Sequence, residues 1–60
     1  MGQNSLERLL DYSRKAYDNY MNTAKTAKSA SERNAASIMA RRMKRDIASL
    51  EIELNNLRAV

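Results

Sequence analysis

Sixty residues carry a formal net charge of +4, with no cysteine, no histidine, no proline and one glycine. That leaves room for one domain, residues 1–60, and excludes disulfides and thiolate or imidazole metal ligation. A chain this short buries only about 60% of its unfolded surface when it folds alone, so self-association is the expected source of further burial.

The N-terminal Met1-Gly2-Gln3-Asn4-Ser5-Leu6 has neither the basic start nor the apolar run of a signal peptide. A myristoylation pattern would need Ser or Thr at position 6, where Leu6 stands. No apolar stretch approaches the roughly 20 residues needed to span a bilayer. A cytoplasmic protein without membrane contact is therefore expected, and the lack of cysteine suits a reducing compartment.

With Gly2 the only helix breaker, residues 3 to 60 read as helix throughout, rich in Ala, Leu, Met, Lys, Arg and Glu. Strand-favouring residues are three Tyr, three Ile, two Thr and one Val. The class is all-α.

The first helix is predicted over about 5–28. Asn4 or Ser5 is the expected N-cap, and Asn4 with Glu7 forms a loose capping box. At 100° per residue, Leu6, Leu9, Leu10, Ala16, Tyr17, Tyr20, Met21, Ala24 and Ala27 share one face, with Ser13 the only small polar residue among them. The break follows at Lys28-Ser29-Ala30-Ser31-Glu32, where Ser29 and Glu32 make a regular capping box. A second helix is predicted over about 30–58. Its seam is Ala36, Met39, Ala40, Met43, Ile47, Leu50, Leu54 and Leu57, with alternating steps of four and three from Met43 onward. An antiparallel hairpin lets the two apolar faces cover each other, whereas one continuous helix would be a rod about 80 Å long.

Ile38, Ala48 and Ile52 fall opposite that seam, interleaved with Arg41 and Arg45. Two isoleucines in line on a helix that already has a core face suggest a subunit interface, and a dimeric four-helix bundle is the simplest homo-oligomer.

Charge is distributed unevenly. Residues 12–45 hold Arg14, Lys15, Lys25, Lys28, Arg33, Arg41, Arg42, Lys44 and Arg45 against only Asp18 and Glu32, so nine cations face two anions, a local +7. The two ends hold Arg8 and Arg58 against Glu7, Asp11, Asp46, Glu51 and Glu53, a local −3. In a hairpin turning near Ser29, positions summing to 59 or 60 come level. The turn half is then basic, and Glu7 and Asp11 lie beside the stretch holding Glu51 and Glu53. Lys28, Ser29, Ser31 and Arg33 surround the N-terminus of the second helix, whose free N–H groups and positive dipole end suit a phosphate.

The nine cations are accordingly the candidate anion-binding residues, with Arg41, Arg42, Lys44 and Arg45 as main phosphate contacts. Arg14 and Lys15 would support them, and Lys25, Lys28 and Arg33 would serve the turn end. Tyr12, flanked by Arg8, Lys15 and Asn19, is a candidate for stacking on a base, although packing at the bundle edge is its ordinary role.

Glu32-Arg33-Asn34-Ala35-Ala36, followed by Arg41-Arg42-Met43-Lys44-Arg45, Leu50 and Leu57, resembles a basic leucine zipper, with Asn34 and Arg42 at that family's eight-residue separation. The register departs from the family. The first zipper leucine would fall at Ile52 and the next at Ala59, so Leu50 and Leu57 stand two residues early, a rotation of about 200°. In size and layout alone the chain resembles small RNA-binding bundles made from dimeric hairpins, and phage-encoded helical proteins that sequester nucleotide signals.

Catalysis finds no constellation. There is no Gly-rich phosphate loop, and Glu51 and Glu53 point about 200° apart. Glu7 and Asp11 share a face, but with Lys15 beside them they read as a solvated surface. A non-enzymatic protein without cofactor is expected, most simply a nucleic-acid binder. The alternatives are a protein-interaction module (adaptor, inhibitor or assembly factor) using the Ile38–Ile52 face, and sequestration of a small phosphorylated nucleotide between subunits.

Overall fold

Uninterrupted helix formers produce two long α-helices in the computed structural model, which describes residues 2–59: α1 (Gln3–Thr26, 24 residues) and α2 (Ala30–Arg58, 29 residues). Met1 and Val60, the ends of the single domain expected from the sequence, lie outside the described residues. The helices pack antiparallel as a hairpin 47 Å long and about one helix pair across, at 15 × 14 Å.

The first helix is shifted by two residues relative to the expected 5–28. Its N-cap is Gly2, with no side-chain hydrogen bond, so neither Asn4 nor Ser5 caps it and the Asn4–Glu7 box does not form. Instead the Gly2 carbonyl already accepts from Leu6 N–H, starting the helical ladder. The earlier start adds about half a turn ahead of the buried Leu6, and Gln3 reaches Glu7 Oε1 at 3.5 Å.

The turn forms without glycine or proline. Near the end of α1 the Thr23 and Thr26 hydroxyls donate back to Asn19 O and Asn22 O at 3.0 and 2.9 Å, a bonding mode that weakens helix continuation. Ala27 and Ser29 are then extended, at ψ 139° and 135°. Ala27 N–H still closes onto Thr23 O. Ser29 caps α2 as its spacing predicted, its Oγ accepting from Glu32 N–H at 3.4 Å.

Arg33 closes the remaining gap. Its Nη1 donates to Ala27 O at 2.8 Å and to Lys28 O at 3.1 Å, satisfying carbonyls that α1 leaves open. A charge-assisted pair of this kind contributes about 1–2 kcal/mol after allowance for the partial exposure of Arg33. Arg33→Ala is expected to lower the urea midpoint by about 1 M with an unchanged slope, and Arg33→Lys to recover only part, since an ammonium lacks the planar fork. An unchanged midpoint would show that the turn holds without it.

The core is built in two styles. At the terminal end Leu6, Leu10 and Leu54 are buried, with Ile47 and Leu50 packed against them. Toward the turn the buried apolar residues are Ala36 and Ala40, flanked by the half-buried Tyr17, Met21, Ala24 and Met43. The predicted faces are thus the ones that meet, but not every member is covered: Leu9 and Leu57 remain 39% and 43% exposed. Ser13 is buried between the helices, and among the described residues no fully buried side-chain nitrogen or oxygen lacks a partner.

Candidate anion-binding surface

Rotation of α1 against α2 gives the hairpin two unlike sides. On one, Glu7 and Arg14 of α1, a heptad apart, meet Arg58 and Glu51 of α2, also a heptad apart. Arg14 Nη2 lies 3.2 Å from Glu51 Oε1, and Arg58 Nη2 lies 3.1 Å from Glu7 Oε1. Lys15 adds a pair within α1, 3.0 Å from Asp11. All three pairs are solvent-exposed and contribute under about 1 kcal/mol each. Their significance is placement, since they occupy Arg14 and Lys15 with carboxylates of the same chain.

The cross-helix pairs also revise the charge register. Positions summing to 65 reach each other on this side, whereas Leu9 with Leu50 and Ser13 with Asp46, which sum to 59, line one groove on the other. Glu7 therefore meets Arg58, and Glu51 meets Arg14, rather than acid lying beside acid. A single sum cannot describe two helices whose flanks are offset by more than a turn, and arginine side chains extend the offset further.

Arg41, Arg42, Lys44 and Arg45 are placed differently. All four are exposed on α2 and none forms an ion pair among the described residues. Arg41, Lys44 and Arg45 surround a shallow depression that includes Ala48. Arg41 and Arg45 are one turn apart, about 6 Å along the axis, so their guanidinium groups project from one face. Lys25 and Lys28 are exposed at the turn end.

Arg33, expected beside them, spends its guanidinium on the turn carbonyls. The N-terminus of α2 meanwhile carries Glu32 in its first turn. The structure thus leaves four unpaired cations on α2, three of them around one depression, with two more at the turn, and sets Arg14, Lys15 and Arg33 to other contacts.

Tyr12 is 68% exposed on α1. The depression beside it is lined by Tyr12, Lys15, Ala16, Asn19 and Tyr20 and shares no residue with the one beside Ala48. The two features are therefore separate.

Ile38 and Ile52 are 56% and 62% exposed, and Ala48 is exposed with them. The isoleucines stand 14 residues apart, about 21 Å along the helix, and Arg41, Arg45 and Ala48 occupy the interval. They bracket the basic surface rather than forming a contiguous apolar patch.

Sequence reasoning missed the Arg33 staple and the cross-helix ion pairs. The pairs had one readable signal, the matched heptads Glu7/Arg14 and Glu51/Arg58. The staple had none, because a capping-box helix start does not say where the next arginine turns.

Among the described residues, no three His, Cys, Asp or Glu side chains are grouped to hold a metal ion, and no helix is long and apolar enough to cross a membrane. No protein-family model matches the chain, and neither a curated protein nor a solved structure matches it.

Proposed function

We propose that this chain is a non-enzymatic helical binding protein that holds an anionic partner, nucleic acid through its phosphates, against the outer face of α2. The observation that carries the reading is the contrast between two sets of cations. Arg14, Lys15 and Arg58 are paired with carboxylates, while Arg41, Arg42, Lys44 and Arg45 stand exposed and unpaired on the described chain. Free guanidinium groups in line suit phosphate oxygens, and Arg offers a planar fork for them. The face carries no aromatic side chain, since Tyr12, Tyr17 and Tyr20 all belong to α1. The reading is therefore of backbone contact without base stacking.

The test is a fluorescence-anisotropy titration of generic duplex and single-stranded oligonucleotides across a salt series. Four phosphate contacts correspond to a log–log slope of about −3.6 on duplex, which is roughly a hundredfold loss between about 50 and 200 mM salt. Absence of binding at the low-salt end would overturn the proposal. Binding indifferent to salt would point instead to an apolar contact using Ile38 and Ile52.

A further inference from the structure

The side of the hairpin opposite the Arg14–Glu51 and Arg58–Glu7 pairs is open and mainly apolar, with Asp46 and Glu32 at the edges of its grooves. Leu9 and Tyr20 on α1 are 11 residues apart, about three turns, and so are Met39 and Leu50 on α2. The four therefore face one side, where they line two grooves between the helices, Leu9 with Leu50 and Tyr20 with Met39. Leu57, a heptad beyond Leu50, continues this side. None of these five residues is fully buried.

The area involved can be compared with what a second subunit would cover. A compact monomer of 6.9 kDa exposes about 4,000 Å². This chain exposes 4796 Å². The excess of about 800 Å² equals one partner's share of a standard protein–protein interface. It has a structural origin, because two helices make a single layer and a domain needs a second layer to enclose its core.

We infer that a second copy of this chain packs on the Leu9–Tyr20–Met39–Leu50 side, completing an antiparallel four-helix bundle. The interface is this grooved side and not the Ile38–Ala48–Ile52 stripe, which stays outside with the arginines. The net charge of the two halves, acting at long range because the arginines lie on the outer face, favours one orientation. Parallel copies would align two turn halves, each with Lys25, Lys28, Arg33, Arg41, Arg42, Lys44 and Arg45 against only Asp18 and Glu32. Antiparallel copies instead lay each basic half beside the half holding Asp46, Glu51 and Glu53. That arrangement also sets the Leu9/Leu50 groove of one copy against the Tyr20/Met39 groove of the other. The excess exposed area and the charge distribution favour this dimer whether or not the α2 arginines bind nucleic acid.

Three measurements on the full chain test it. Light scattering at micromolar concentration is expected to give twice the mass of one chain. A folded monomer, or a mass other than two chains, overturns the inference. Leu9→Lys is expected to weaken the dimer roughly a hundredfold, since each dimer loses two buried leucines, while Ile52→Lys leaves it intact. Dissociation by Ile52→Lys with none by Leu9→Lys would assign the interface to the other face.

Should Leu9→Lys lose its helical circular dichroism with the dimer, the third measurement decides. The chain has no cysteine, so a single Ser31→Cys spin label marks each turn. The label separation is expected to be comparable to the 47 Å length of the hairpin. Labels close together would show parallel copies and overturn the orientation.

Discussion

Leu54→Ala is expected to lower the thermal midpoint by at least about 10 °C and to leave a large unfolded fraction at room temperature. Leu54 is only 4% exposed and packs with Leu6 and Leu10, against which Ile47 and Leu50 lie. Truncating such a leucine costs about 2–5 kcal/mol, from lost transfer energy and from the cavity left behind. A 60-residue chain has a total stability of only about 3–9 kcal/mol. The turn half cannot compensate, because its buried apolar residues are alanines. Ile52→Ala, two positions earlier and 62% exposed, is expected to change stability by less than about 1 kcal/mol. Thermal melts followed by circular dichroism separate the two. Equal losses would mean that burial does not rank these positions.

Reversing Arg41 and Arg45 together, as Arg41→Glu/Arg45→Glu, is expected to reduce oligonucleotide affinity by more than about a hundredfold at low salt. The change removes two phosphate contacts and places two carboxylates where the strand would lie. Both side chains are exposed and in no ion pair among the described residues, so the fold should tolerate the change. The informative comparison is Arg14→Ala. Its guanidinium is engaged by Glu51 at 3.2 Å, so its loss should move the salt slope by less than one unit. If Arg14→Ala weakens binding as much as the double reversal, the phosphate path runs across the ion-paired side and the assignment to α2 is wrong.

Hairpin turns usually rely on glycine, so the turn here shows what can replace one. Ala27 and Ser29 adopt ordinary extended angles, and no described residue outside glycine has positive φ. The carbonyls left open at the end of α1 are met by a side chain from α2 instead of by a left-handed residue. These contacts span only five and six residues, so the turn is held by its own neighbourhood in the chain.

Sequence favoured a hairpin but left one continuous helix open, which the packing of α1 on α2 decided. The helical class, the restart at Ser29 and the seam from Ala36 to Leu54 were determined by sequence alone. Each follows from local chemistry: absent breakers, the Ser29–Glu32 spacing, and apolar residues recurring every three or four positions. The N-terminal boundary was less legible, because Asn4 and Ser5 are good caps in isolation, whereas the helix starts earlier with Gly2 as its N-cap and the Gly2 carbonyl accepting from Leu6 N–H. Only tertiary structure decided which cations are free, where Arg33 is spent, and which side of the hairpin stays open. Those outcomes depend on the rotation and offset of α1 against α2, set by the packing of Leu6 and Leu10 on Leu54. A small change in that rotation exchanges which long, flexible side chains meet, and no periodicity within one helix records it.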